Sequence, residues 1–117
     1  MKYLKENNTD KLDDTYWDKK TFAPSALLFY VGFNQKLKNV SHHTLFFDSD
    51  FDGHARDIYD LPKWPENPLF YASFPSLTDS NMAPNNNEAG TFLIPLAPGI
   101  EDTDELRSKY FKMIVER

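Results

Sequence analysis

The chain has 117 residues, a length that fits one small domain. Its formal net charge of −5 argues against nucleic acid as a partner, because phosphate binding needs clustered Lys and Arg. It has no cysteine, which excludes disulfides, thiolate nucleophiles and cysteine-ligated metal sites and is compatible with a cytoplasmic protein.

The predicted elements begin in a polar N-terminal arm, residues 1–20, which contains a short predicted helix from Asp13 to Lys19. The segment from Ser25 to Phe33 is almost continuously apolar, which predicts a strand covered on both faces. A charge at Leu28 is therefore expected to unfold the domain, because an unpaired buried charge is strongly disfavoured.

Further strands and helices are predicted in the rest of the chain. The second strand is expected to run antiparallel to the first, because the connection between them is short. Pro95 lies in the last strand, a position that favours an edge or a strand end. In chain order the predictions are a strand at His43–Asp48, a helix at Gly53–Tyr59, a strand at Leu69–Phe74, a long loop at Ser76–Glu88, a strand at Thr91–Leu96 and a helix that starts at Asp102–Glu105.

The C-terminal segment carries the pattern of an amphipathic helix. Its residues Leu106, Tyr110, Met113 and Ile114 recur at helical spacing and form one apolar face. The order of elements predicts an α+β fold for residues 21–117, with a small, mostly antiparallel four-stranded sheet and helices packed on one face.

One acidic segment imitates the start of a calcium loop. Asp48, Asp50, Asp52 and Gly53 occupy the right positions, but the closing position falls on Tyr59, where a bidentate Glu is required. A solvated turn that caps the next helix is the simpler interpretation.

Three histidines, His42, His43 and His54, also suggest a metal site. Adjacent residues on a strand point to opposite faces, so His42 and His43 cannot easily bind one ion together if the strand begins there. We interpret the pair as structural or surface residues and predict no metal site.

Aromatic residues are concentrated on the predicted strands. Core packing is the default interpretation for most of them, because aromatic side chains dominate protein cores. The functional alternative is that one face of the sheet forms the wall of a long apolar tunnel, which would need mainly shape and aromatic surface. The candidate residues for this wall are Phe29, Tyr30, Phe46, Tyr71 and Phe92.

Five short runs, in their order and spacing, resemble the middle of the bacterial and fungal phytoene desaturase-type carotenoid desaturases. They are residues 22–32 (FAPSALLFYVG), 42–47 (HHTLFF), 68–71 (PLFY), 75–79 (PSLTD) and 94–99 (IPLAPG). The resemblance covers about Tyr16 to Arg117. It implies an internal fragment of the substrate domain of an FAD-dependent enzyme with a flavin amine oxidase-like fold, which inserts double bonds into a carotene.

The resemblance also implies the surroundings of the complete enzyme: a carotene substrate, FAD, the remainder of the parent flavoenzyme, and a cytoplasmic location with peripheral association with membranes. The four glycines of this chain form no G-x-G-x-x-G turn, so the chain alone is expected to bind no FAD and to be inactive. No catalytic residue is assigned. The isolated chain is expected to self-associate through exposed apolar surface. The alternative is a free-standing, non-catalytic binding or interaction module derived from the same domain.

Overall fold

A computed structural model describes residues 14–117. Residues 1–13, which hold most of the predicted N-terminal arm, lie outside the described residues, and helix α1 spans Asp14–Asp18. The elements that follow are β1 (Ser25–Phe33), β2 (His43–Phe46), α2 (Phe51–Tyr59), β3 (Phe70–Ser73), β4 (Glu88–Leu96) and α3 (Asp104–Val115), with short 3-10 turns at Pro75–Leu77 and Ser80–Met82. The predicted α+β class and the predicted order of elements are confirmed.

The strands form one four-stranded sheet in the order β1-β4-β3-β2, and all three pairings are antiparallel. Strands β1 and β2 run in opposite directions, as predicted, but they lie at opposite edges of the sheet. Crossing the two strands between them requires about 14 Å, three strand spacings, which the connecting residues 34–42 span easily at about 3.3 Å per residue.

Helix α3 packs on one face of the sheet and closes the core. The buried cluster consists of Phe70, Ile94, Leu96, Tyr110 and Ile114. Leu106 and Met113 pack against it, so the predicted apolar face of the C-terminal helix is confirmed. The helix begins where the hydroxyl of its N-cap, Thr103, accepts a hydrogen bond from the backbone N of Leu106 at 3.2 Å.

The Pro-rich segment after α2, residues 61–68, contacts α3 through aromatic side chains. Trp64 packs on the ring of Tyr110, with 4.7 Å between ring centroids, and its indole Nε1 donates to the carbonyl of Glu101 at 2.7 Å. The Tyr110 hydroxyl donates to the carbonyl of Pro65, and burial raises the pKa of this phenol above its ordinary value of 10.0. This segment therefore ends α2 and also covers one side of the core.

Strand β1 lies at an edge of the sheet, and the prediction that both of its faces are covered is wrong. Leu27 and Phe29 pack against the core, whereas Leu28 is 42% exposed and Tyr30 is 79% exposed. A continuous apolar run indicates a fully buried strand only where helices cover both sides of the sheet. The expectation that a charge at Leu28 unfolds the domain loses its premise for the same reason.

His54 joins β3 to β4 at the point where their backbone pairing ends. Its Nδ1 accepts a hydrogen bond from the backbone N of Leu69 at 2.9 Å, and its Nε2 donates to the carbonyl of Pro95 at 2.8 Å. Since a backbone N–H can only donate, Nδ1 carries no proton and the imidazole is in the Nε2–H form. The side chain is 4% exposed. It bridges Leu69 and Pro95, which the register of β3 and β4, if it continued, would place opposite each other.

Pro95 lies in the central strand β4, and it is tolerated there because it is next to the end of that strand. The carbonyl of Pro95 points to His54, and the N–H that proline lacks would point to the same side. That side lies beyond Phe70, where β3 begins, so no backbone hydrogen bond is lost. The prediction of a strand end is confirmed, whereas the alternative of an edge strand is wrong.

Glu88 is a buried carboxylate at the first residue of β4, with 2% of its surface exposed. The ammonium of Lys36 donates to Oε1 at 2.7 Å and the hydroxyl of Ser76 donates to Oε2 at 3.0 Å. The same hydroxyl accepts from the backbone N of Ala89 at 2.9 Å. The hydrogen bond from Lys36 holds the pKa of Glu88 below its ordinary value of 4.5, an effect that outweighs desolvation.

We predict that His54→Ala lowers the free energy of unfolding by at least about 2 kcal/mol, because two buried backbone groups lose their partners at about 1–3 kcal/mol each. Urea unfolding measures this difference. Arg56→Ala, at an exposed position of the same helix, is the control and is expected to stay within about 0.5 kcal/mol of the wild type. Equal stability of the two variants would show that the imidazole bridge contributes nothing.

Glu88 is also expected to make folding sensitive to acid. Its pKa is lower in the folded chain than in the unfolded chain, so the folded chain binds fewer protons in the pH range between these two pKa values. Its contribution to stability is complete above the unfolded value of about 4.5 and is lost as the pH falls through the lower folded pKa. The free energy of unfolding, measured by chemical denaturation at a series of pH values, should depend less steeply on pH below about pH 4.5 in Glu88→Gln than in the wild type. Glu116→Gln, at an exposed position, should keep the wild-type slope.

Candidate functional site on the open face of the sheet

The face of the sheet that points away from α3 carries a row of apolar and aromatic side chains, and we call it the open face. Leu45 lies opposite Tyr71, Tyr71 lies opposite Leu93, and Leu93 lies opposite Leu28. Directly opposed residues of antiparallel strands point to the same side, so these four side chains cross all four strands on one face. The row is an apolar strip whose one polar group is the phenol hydroxyl of Tyr71.

A second, more polar row runs beside the first on the open face. It consists of His43, Ser73, Thr91 and Tyr30, which lie opposite one another in that order across the four strands. The open face therefore combines an apolar strip with a few hydroxyl and imidazole groups along one side. Such a surface suits a large apolar ligand better than a charged one.

His42, His43 and Tyr71 form a small polar cluster at the β2 side of this face. The His43 Nδ1 and the Tyr71 hydroxyl share a hydrogen bond, and the His42 Nδ1 shares another with the hydroxyl of Thr78 at 2.9 Å. The two imidazole rings are stacked, with 4.1 Å between their centroids. Strand β2 starts only at His43, so His42 lies outside the strand and the rule that separates neighbouring side chains does not apply to this pair.

The acidic segment that imitates a calcium loop is held by an arginine. The Asp48 carboxylate pairs with the guanidinium of Arg117, whose Nη1 also donates to the carbonyl of Pro68 at 2.6 Å. Asp50 is the N-cap residue of α2 by position, although its side chain makes no capping hydrogen bond. In the described range 14–117, no three metal-ligating side chains come together.

The five sequence-predicted wall residues divide between the two faces of the sheet. Tyr30 and Tyr71 lie on the open face, in neighbouring rows. The three phenylalanines, Phe29, Phe46 and Phe92, lie on the face that packs against α3.

The phenylalanines form part of an aromatic layer beneath the sheet. Phe29 contacts Phe111 of α3, with 5.2 Å between centroids, and Phe46 stacks on Phe70 at 4.3 Å. Phe92 packs edge to face on the ring of Phe74 at 5.9 Å. The three residues therefore contribute to core packing beneath the sheet.

Three aliphatic residues of the open face, Leu28, Leu45 and Leu93, were missed by the sequence reasoning, which considered aromatic residues alone. Leu28 could have been found from its spacing of two from Tyr30, which places both on one face of a strand. Leu45 and Leu93 required the pairing register, since their neighbours on the face come from other strands.

The surface clefts of the described residues include two that lie away from the open face. A cleft of about 300 Å³ beside α2 is lined in part by charged residues, including Asp50, Asp57 and Lys63. A groove of about 330 Å³ lies between Phe29 of β1 and Phe111 of α3. Within the part of the chain that the structure describes, no helix is both long enough and apolar enough to cross a membrane.

Comparison with known proteins identifies the relatives of this chain. It is 44% identical over 103 residues to a carotenoid 3,4-desaturase of Haloarcula japonica, a match that covers 88% of this chain and 21% of that protein. It is 33% identical over 94 residues to a 4,4'-diapophytoene desaturase of Staphylococcus haemolyticus, covering 80% and 18%. Its homologues are carotenoid desaturases. No family model matches the chain.

The carotenoid desaturase relatives include a zeta-carotene-forming phytoene desaturase of Myxococcus xanthus, 29% identical over 105 residues, with 85% of this chain and 20% of that protein covered. The resemblance inferred from the five short runs is confirmed at the level of the family. The chain spans about a fifth of the length of these relatives.

Exposure of the open face predicts that Leu28→Asp is tolerated. The variant is expected to lose about 1 kcal/mol or less of unfolding free energy, because the new carboxylate stays in water. Ile94→Asp, on the adjacent strand but completely buried, is expected to prevent folding. Thermal melting followed by circular dichroism compares the two variants. Loss of folding in Leu28→Asp would mean that this face is covered.

Proposed function

We propose that this chain forms part of an FAD-dependent carotenoid desaturase and that its open face is part of the wall against which the carotene lies. The observation that carries this proposal is the row of Leu45, Tyr71, Leu93 and Leu28, an apolar strip that crosses the whole sheet on the face that points away from α3. A carotene offers little to hydrogen-bond, so its site needs mainly shape and apolar surface. The three relatives described above, a carotenoid 3,4-desaturase and two phytoene-type desaturases, support this class of ligand.

The two faces of the sheet give different roles to the predicted wall residues. Tyr30 and Tyr71 would contact the polyene directly, whereas Phe29, Phe46 and Phe92 would stabilise the sheet by packing on its core side. Four strands spaced by about 4.8 Å make the row about 14 Å long. An extended polyene is longer than this, so the remainder of the parent enzyme would supply the rest of the wall.

The oxidation requires FAD, and the residues present here do not fit a flavin site. Gly32 and Gly90 lie inside strands, Gly53 lies inside α2, and Gly99 stands alone in the turn between β4 and α3. None of them opens the glycine-rich turn that holds a dinucleotide pyrophosphate at a helix N-terminus. We therefore expect FAD to be bound by other segments of the parent enzyme and this chain alone to be inactive.

The contribution of this chain to the reaction is thus orientation of the substrate and exclusion of water, the share that a protein supplies when a cofactor carries the chemistry. The complete enzyme would act in the cytoplasm as a peripheral membrane protein, because carotenes dissolve in membranes.

The test is retention of lycopene by the chain. Lycopene delivered in zwitterionic detergent micelles should co-elute with the wild-type chain in gel filtration, detected by its visible absorbance. Leu45→Asp should reduce the retained pigment roughly fivefold, since about 1 kcal/mol of apolar contact is lost. Leu61→Asp is the matched control: Leu61 is 67% exposed and Leu45 is 61% exposed, but only Leu45 lies on the sheet. Equal retention by Leu45→Asp and the wild type, or no retention by the wild type, would count against the proposal.

A further inference from the structure

We propose that β1 pairs edge to edge with β1 of a second copy of this chain, in antiparallel register about a two-fold axis at Phe29. This inference concerns the edge of the sheet and goes beyond the proposed role of the open face. Three features carry it: an unprotected edge, a groove beside that edge, and a strand sequence that is complementary to itself.

The outer edge of β1 lacks the features that normally prevent strand pairing. The strand is nine residues long and ends the strand order, so within residues 14–117 no neighbouring strand pairs with the backbone groups on its outer side. Natural edge strands are blunted by charged side chains, by proline or by short length. Residues 25–33 contain no Lys, Arg, Asp, Glu or Pro. The opposite edge, β2, has only four residues and is protected by its shortness.

A groove of about 330 Å³ lies on the helix side of this strand, between Phe29 and α3. Phe29 and Phe111 form its apolar part, with Arg107, Ser108 and Lys112 along its rim. An incoming strand would place the side chain opposite Phe29 next to this groove. The charge of Arg107 is matched by Asp102, at 2.5 Å, and by Asp104, at 3.5 Å, so the rim does not demand an acidic partner.

The sequence of β1 fits its own copy in this register. On the helix side Phe29 faces the partner's Phe29, and Leu27 faces the partner's Val31. On the open face Leu28 faces the partner's Tyr30, and this pair occurs twice because of the two-fold axis. Each is a pair of apolar or aromatic residues, the kind that stabilises neighbouring strands. The result is a closed, isologous interface and a continuous eight-stranded sheet.

The interface is small, because one strand pair and one groove on each side lie at the low end of specific interfaces. The dimer should therefore dissociate on dilution. Sedimentation velocity over a wide range of chain concentrations measures this equilibrium for the wild-type chain.

Paired substitutions test the register. In L28K/Y30K each new lysine faces a lysine of the partner, so the dissociation constant should rise roughly tenfold or more. In L28K/Y30E each Lys faces the partner's Glu, so dimerisation should return to within about threefold of the wild type. Both positions are exposed in the single chain, and circular dichroism melts check that the variants fold.

The same two variants separate edge pairing from stacking of the open faces. Both place two charged side chains on the open face, so stacking, which needs that face to be apolar, would be weakened in both. Equal weakening would overturn the proposal, as would a wild-type chain that stays monomeric at every concentration; the β1 edge would then await a strand from elsewhere. The lycopene test depends on Leu45, which lies on the opposite edge strand, so its outcome is independent of this one.

Discussion

The structure depends on the packing of one helix, α3, against one face of the sheet. Tyr110 and Ile114 of the helix meet Phe70 and Ile94 of the two central strands, and these four side chains are almost entirely buried. The described residues place their buried hydrophobic cluster on this side only. Burial on one side decides which residue of each alternating pair is inside, and it leaves the other set of side chains on the open face.

The central strand β4 is held at both ends by side chains. Near its end the imidazole of His54 continues the hydrogen bonding between β3 and β4, and at its start Glu88 binds Lys36 and Ser76. In the region covered by residues 14–117, no buried side-chain nitrogen or oxygen lacks a hydrogen-bond partner. These polar anchors fix the position of β4, and therefore of Leu93, which lies in the middle of the open face. The proposed wall would therefore be preorganised, which lowers the free-energy cost of binding an apolar ligand.

The open face and the β1 edge give the molecule two surfaces with different chemistry. The open face offers side chains, chiefly Leu28, Tyr30, Leu45 and Tyr71, whereas the edge offers backbone groups. In the proposed dimer the two surfaces are continuous, because Leu28 and the partner's Tyr30 meet at the junction.

The residues alone determined much of the fold and the family. The apolar face of Leu106, Tyr110, Met113 and Ile114 predicted α3, because a helical period needs only local spacing. The five short runs predicted carotenoid desaturase relatives, which the comparisons confirm. Local sequence also placed each strand within a few residues, since apolar runs ended by proline or glycine are local signals.

Only the tertiary structure decided which faces and neighbours these elements have. The run Ser25–Phe33 is as apolar as a fully buried strand, but its place at the sheet edge leaves Leu28 and Tyr30 in solvent. His54 was one histidine among three, and its role appeared only when Leu69 and Pro95 were brought to either side of its ring. The candidate wall residues divided between two faces because the faces are set by register across strands that are distant in sequence, such as Leu45 with Tyr71. Local spacing specifies an element, whereas burial depends on long-range pairing that no single segment contains.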